Sequence, residues 1–230
     1  MTEKTKKKDF VEIKYTGYAN GELFDSNIEK DLKELDEKAI PKKTIVIIGE
    51  GMLVKGLDKE LENKEIGKEY EIEFGAKEGF GERDRNLIKT IPKKIFSEKN
   101  MNPQPGMVFN MDNAIARVVS ISGGRVLMDF NNPLSGKNIK YKFKIIRIVK
   151  DEKEKVESVF ANLFKMVPQF EISEKNIIIK GPKGLENFVN AFKDKFKEFI
   201  GKELKFKEMT KGEVEEDLKR MAKKEEKEKQ

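Results

Sequence analysis

Few residue types in this chain could do chemistry, and the missing ones narrow the choice. The 230 residues include no His, no Cys and no Trp. That excludes Cys/His zinc sites, disulfides, thiol nucleophiles, Ser-His-Asp triads and His general bases. Catalysis is left to carboxylates, Lys, Tyr and hydroxyls, or to geometry and desolvation alone. Gly51-Met-Leu-Val-Lys-Gly56 has the glycine spacing of a phosphate loop, but Leu57-Asp58 stands where Lys and Ser/Thr would hold phosphate and Mg²⁺. Gly79-Phe80-Gly81 lacks the third glycine and the following helix of a dinucleotide loop. Both strings read as turns. Glu82 and Asp84 could form an acid/base pair, but they sit in a charged loop. The residues point to no metal and no cofactor.

The elements that must position any site follow from hydropathy patterning. Residues 10–18 (FVEIKYTGY) alternate as a strand with Val11, Ile13 and Tyr15 on one face. Asn20-Gly21 is a two-residue hairpin turn, and Glu22 to Asp25 starts the return strand. Residues 28–39 read as a charged helix or a long loop. Residues 44–48 (TIVII) read as a buried strand, 54–63 as a short helix, and 69–74 as another alternating strand. The texture changes between about 84 and 132, where 107–111, 114–121 and 125–130 give three short strands of a small β module. Residues 139–149 form a last long strand. Beyond Lys150 the pattern becomes a helix (152–167), a strand or hairpin (170–179), a helix (184–200) and a strand (203–208). The tail, 211–230, reads as a charged helix or as disordered.

Composition sets the outer bounds. Apolar residues make up 37% and charged residues 39% of the chain, with the apolar ones in periodic clusters, so a core is expected. Net charge is +6, but 48 basic residues face 42 acidic ones. A diffuse Lys/Glu surface accounts for this better than a nucleic-acid groove, since Arg, the residue suited to base and phosphate forks, is scarce. No apolar run approaches the ~20 residues of a membrane span, and Met1 to Asp9 lacks the apolar stretch of a signal peptide. A cytoplasmic protein with no membrane partner is expected.

Six strings in register, Val11–Tyr18, Gly21–Ser26, Gly49–Leu57, Gly67–Gly81, Asn131–Lys137 and Ile139–Ile145, carry a family resemblance. Over about residues 8–150 the chain resembles FKBP-type peptidyl-prolyl cis-trans isomerases of the long, archaeal SlyD-like type. About 50 residues separate Gly79-Phe80-Gly81 from Asn131-Asn132-Pro133-Leu134, a gap that holds an insert-in-flap domain in SlyD-like proteins. The resemblance implies an α+β fold: an antiparallel FKBP half-barrel sheet around a short helix, an inserted small β domain and a C-terminal α/β module. The expected division is 1–83 with 132–150 for the isomerase, 84–131 for the insert, 151–210 for the C-terminal module, and 211–230 for the tail.

Residue by residue, the resemblance places Tyr15, Phe24, Leu53, Val54, Leu57, Phe80 and Tyr141 in a proline pocket, with Leu57 as its floor where many members carry Trp. It implies that the Val54 N–H binds a substrate carbonyl, that Asp25 lies near the twisting amide steadied by the Tyr15 hydroxyl, and that Leu134 closes the flap side. Tyr15 and Asp25 would be the catalytic pair. Phe80 stands where many members have Tyr, and the His-rich metal tail of bacterial SlyD is absent. The chemistry suits such a chain. Turning an Xaa-Pro bond means crossing a barrier of ~18–20 kcal/mol, and an apolar site that favours the less polar twisted amide needs no proton transfer.

The expected partners are unfolded or nascent polypeptides containing proline. Met107, Phe109, Met111, Ile115 and Met128 of the insert would hold them, Met being adaptable to varied surfaces; filling the module's own core is the competing role. A holdase with a vestigial pocket is the second reading, and a ribosome- or nucleic-acid-associated module the third. The C-terminal module, too small to bury much alone, is expected either to pack on the isomerase body or to pair with a copy of itself, a homodimer being preferred.

Overall fold

The computed structural model describes residues 3–111, 114–210 and 212–213. The chain opens with β1 (Phe10–Ala19) and β2 (Glu22–Ser26), joined at Asn20-Gly21, both with positive φ, as the two-residue hairpin turn requires. Next come α1 (Glu29–Leu35), β3 (Thr44–Ile47), α2 (Lys55–Glu60) and β4 (Glu69–Phe74). Of the segment 28–39, open between helix and loop, only Glu29–Leu35 is helical, as α1, and none of that helix is buried. The inserted segment supplies β5 (Ile88–Pro92), α3 (Lys93–Glu98), β6 (Val108–Met111), β7 (Ala114–Ser122) and β8 (Arg125–Asp129). The chain then returns as β9 (Ile139–Ile148).

β1, β2, β4 and β9 form an antiparallel sheet in the order β2-β1-β9-β4, with β3 pairing the N-terminal half of β1. Helix α2 seals one face through Leu57 and Leu61, which join Val11, Ile13, Phe74, Tyr141, Phe143 and Ile145 in one core. The inserted strands make a separate antiparallel sheet, β5-β8-β7-β6, covered by α3. Strand β5 and helix α3 were not visible in the hydropathy pattern.

The remaining elements are α4 (Glu152–Phe164), β10 (Gln169–Ile172), β11 (Asn176–Gly181), α5 (Glu186–Ala191), α6 (Lys193–Ile200) and β12 (Glu203–Glu208). Strands β10 and β11 are an antiparallel hairpin, and β12 runs parallel to β11. The continuous helix expected over 184–200 is interrupted at Phe192, whose φ of −108° and ψ of 3° leave the helical region.

This C-terminal unit packs on the body. Val156, Val159, Phe160 and Phe164, spaced to share one face of α4, are buried with Phe10, Ile45, Ile47 and Val149. Strand β3 is therefore apolar on both faces: Ile45 and Ile47 point to the C-terminal core, Val46 and Ile48 to the sheet core. That explains the unbroken run Ile45–Ile48. Among the described residues no helix is long and apolar enough to cross a membrane.

Candidate active site

The sheet brings Tyr15, Phe24, Asp25 and Tyr141 together by register. Gly17 on β1 lies opposite Asp25 of β2 on one side and Tyr141 of β9 on the other. A Cβ at Gly17 would sit 2.7 Å from the Tyr141 ring and 2.9 Å from the Phe24 ring. Glycine is needed here for close approach, since both rings lie over the β1 backbone. The rings then meet edge to face, Tyr15 with Tyr141 at 5.9 Å between centroids, Phe24 with Tyr141 at 5.8 Å, and Phe24 with Phe80 at 5.6 Å, a geometry aromatic quadrupoles favour. Leu57 and Tyr141 are buried beneath half-buried Tyr15, Phe24, Leu53, Val54, Phe80 and Leu134. Every residue assigned to the apolar site from sequence lies in this one cluster.

Three supports escaped the sequence reading. The Asn27 side chain accepts from the Tyr15 N–H (2.8 Å) and donates to the Ile13 carbonyl (2.8 Å), pinning β1 beside Tyr15. Asp58, buried on α2, accepts from the backbone N–H groups of Gly49 and Gly51, each at 3.0 Å. Its carboxylate thus occupies the anion position that the phosphate-loop-like spacing suggested, and fixes the loop leading to Leu53 and Val54. Gly56 lets α2 lie on Phe74, whose ring a Cβ would meet at 2.6 Å. No sequence motif marks Asn27 or Asp58, because their partners are backbone groups that only the fold brings near. Val54 precedes α2 in an extended conformation, and among the described residues its N–H has no hydrogen-bond partner.

The polar groups of the cluster are Tyr15, Asp25 and Tyr141. Burial pushes the Tyr15 hydroxyl well above the ordinary tyrosine range, and the charge of Asp25 and the hydrogen bond Tyr15 donates to it add to the shift. Burial also raises the Asp25 carboxyl, a change partly offset by the Tyr15 hydroxyl and the Ser26 N–H. Tyr141 is raised by burial first, then by the nearby charges of Asp25 and Tyr15. The arrangement is an apolar, half-buried cluster with one carboxylate at its side. Among the described residues no cluster of Asp or Glu could hold a metal.

The flap side is held where the chain enters and leaves the insert. Ser135 donates to the Phe80 carbonyl (3.0 Å) and Gly136 N–H to that of Gly81 (2.9 Å). Farther out, Asn131 donates to the Asp84 carbonyl, accepts from the Asp84 N–H and donates to Asp129, which also pairs with Arg83. Although burial works to raise it, the Asp129 carboxyl is held below its ordinary value by Asn131 and Arg83. Of the insert residues assigned to client contact, Ile115 and Met107 are exposed and Phe109 and Met111 half-buried. Met128 is corrected: it is wholly buried with Phe96, Ala116, Val118 and Val126, filling the module's own core. Two surface grooves, of about 300 and 360 Å³, lie elsewhere, one between β3 and α4 and one on the insert sheet.

Comparison with known proteins bears on this geometry. Residues 1–96 match the family FKBP-type peptidyl-prolyl cis-trans isomerase, and residues 89–134 match the FKBP26 IF domain. The first match spans Tyr15, Phe24, Asp25, Val54, Leu57 and Phe80, and the second takes in β5 to β8. The chain is 30% identical over 158 residues to the short-type peptidyl-prolyl cis-trans isomerase of Methanocaldococcus jannaschii, covering 67% of this chain and 100% of that protein. It is 27% identical over 118 residues to the FKBP-type isomerase SlyD of Escherichia coli, covering 50% of this chain and 60% of SlyD. With Helicobacter pylori SlyD it shares 26% over 148 residues, 63% of this chain and 74% of that one.

Proposed function

The chain belongs to the family of FKBP-type peptidyl-prolyl cis-trans isomerases, and on that premise we propose that the cluster around Tyr141 is the pocket in which it turns Xaa-Pro bonds of unfolded or nascent chains. The observation that carries this reading is the convergence of Tyr15, Phe24, Leu57, Phe80 and Tyr141 on one apolar site, with Asp25 brought beside it by the β1–β2 register. The proline ring rests on Leu57 between the aromatic walls. The free Val54 N–H donates to a substrate carbonyl, and the Asp25 carboxylate lies beside the rotating amide. No bond is made or broken. The gain is differential: the twisted amide has lost its resonance dipole, so a water-poor pocket favours it over the planar one. NMR exchange of a short Xaa-Pro peptide tests this, with expected acceleration that falls in Asp25→Ala and Leu57→Ala. Equal acceleration in both variants would place the reaction elsewhere.

The inserted segment, 84–131, serves in this reading as a separate client-holding domain on the isomerase formed by 1–83 and 132–150. Support comes from β6 and β7, the outer pair of the insert sheet, where Val108 and Ile115 are 61% and 66% exposed. Extended, apolar clients suit such an edge. Light-scattering assays of an aggregating client test it: Val108→Lys with Ile115→Lys should abolish suppression while leaving peptide isomerisation intact. The C-terminal unit, 151–210, is the proposed homodimer contact, since Phe188, Met166 and Val167 remain exposed after α4 has docked on the body. A monomeric mass at tens of micromolar would end that assignment. The tail expected as a charged helix or as disordered, 211–230, lies outside the described residues except at 212–213.

A further inference from the structure

Tyr141 carries a hydroxyl that the reaction as described does not use. The residue is 2% exposed, with its ring packed against Tyr15, Phe24 and Phe74. Its hydroxyl lies close enough to Asp25 and Tyr15 to feel both charges, yet makes no hydrogen bond to either or to any other described residue. Among the described residues no buried side-chain polar atom is both sealed from solvent and without a partner. The hydroxyl is therefore the part of Tyr141 that reaches solvent. Burial and the neighbouring carboxylate keep it protonated, so it presents an O–H donor. A donor that meets water at the edge of an apolar site can exchange that water for a ligand acceptor. Tyr15 is less suited to the same job, because its hydroxyl interacts with the Asp25 carboxylate.

We propose that the Tyr141 hydroxyl is a substrate-binding donor, giving its hydrogen bond to a backbone carbonyl of the bound Xaa-Pro segment. Phe24 stands between Phe80 and Tyr141, touching both rings. The wall at Phe80 has no hydroxyl, and the opposite wall supplies one. The bond holds the segment in both planar and twisted states, so it acts on binding more than on the rotation itself. The ligand class is a peptide with an accessible carbonyl next to proline, which an apolar ring alone would not distinguish from a hydrocarbon. This role rests on the pocket assignment above.

The test is titration and NMR exchange with a short proline peptide, comparing the intact protein with Tyr141→Phe and Leu57→Ala. Tyr141→Phe should weaken peptide binding by about 2- to 12-fold, the worth of one hydrogen bond, while the exchange rate at saturation is kept. Unchanged affinity overturns the proposal, as does a loss confined to the saturated rate. If Leu57→Ala also leaves binding and exchange untouched, it is the pocket assignment that has failed. A second reading needs no variant. Peptide addition to the intact protein should shift the ¹³Cζ resonance of Tyr141, one of four tyrosines, as the hydroxyl gains an acceptor. An unmoved Tyr141 signal in a peptide-saturated protein overturns the proposal even if Tyr141→Phe fails to fold.

Discussion

The inserted and C-terminal units are both small additions to the same sheet, and they are attached by opposite kinds of contact. The C-terminal unit shares its core with the body: of thirteen buried residues in that cluster, Phe10, Ile45, Ile47 and Val149 precede α4. The insert has a core of its own, Phe96, Ala116, Val118, Val126 and Met128. It meets the body at a polar neck, where Arg83 of the body pairs with Asp129 and Asn131 ties the entering chain at Asp84 to Asp129. A buried large apolar side chain contributes about 1.5–3 kcal/mol, and a hydrogen bond about 0.5–1.5 kcal/mol net. Apolar residues crossing a boundary therefore fuse two units into one cooperative structure, whereas a polar neck fixes orientation and leaves the units to unfold separately.

The widest gap between the two attachments should appear on truncating one equivalent residue in each core. Phe160 packs on Phe164, Phe170 and Phe196 and is fully buried. Phe160→Ala should cost about 3–5 kcal/mol, and the loss should register at Tyr15 as well as in the C-terminal unit, in a single denaturant transition. Two separate transitions, with the Tyr15 signals holding to the second, would break the comparison. Phe96→Ala removes the same ring from the insert, where it is also fully buried. Its cost, again about 3–5 kcal/mol, should stay local. Turnover of a short proline peptide should remain within about twofold, as expected for sites that share no partners. Lost turnover would show that the insert is part of the catalytic body.

A smaller effect is expected at the neck. Asn131→Ala removes two donated bonds and leaves the Asp84 N–H without its acceptor, a loss of about 1–3 kcal/mol. Backbone relaxation should then show the insert tumbling more independently of the sheet, with both cores intact. Relaxation rates unchanged from those of the parent would mean that something other than the polar neck orients the insert.

The same distinction governs what was legible in sequence. Local signals were readable: the Asn20-Gly21 turn, the alternation of β1 and β9, the apolar face of α4, and through the family resemblance the residues Tyr15, Phe24, Leu57, Phe80 and Tyr141. Non-local ones were not. Strand β5 carries Lys89 and Thr90 on a five-residue stretch, and only pairing with β8, some 35 residues on, makes it a strand. The break at Phe192 hides within unbroken helical spacing, because its ring is placed by Phe164 and Phe188, 5.0 Å away in each case. Asn27 and Asp58 act on backbone groups that the fold delivers. Ile45 and Ile47 revealed burial on two faces without revealing that the second face belonged to α4.

The finest test concerns the ion-pair cluster at the apolar boundary, which the Asn162 donation to the Ile45 carbonyl accompanies. The Arg147 guanidinium forks onto Glu154 with two bonds of 2.9 Å and also reaches Glu12, while Lys43 meets Glu154 at 2.5 Å. Arg147 and Lys43 together lower the Glu154 carboxyl from the ordinary 4.5 to about 2. A carboxyl whose folded value is depressed stabilises the fold above its unfolded value, and that contribution disappears as pH falls through the folded one. The parent should therefore lose stability between about pH 4.5 and pH 2 in excess of Glu154→Gln, and the two thermal midpoints should converge near pH 2. At neutral pH the gap should shrink in 1 M salt, where the screening length falls to about 3 Å. If it stays open in salt and at pH 2, Glu154 acts through packing and not through charge. If Glu154→Gln splits the single transition expected of the parent, the ion pair, and not the shared apolar core, is what couples the C-terminal unit to the body.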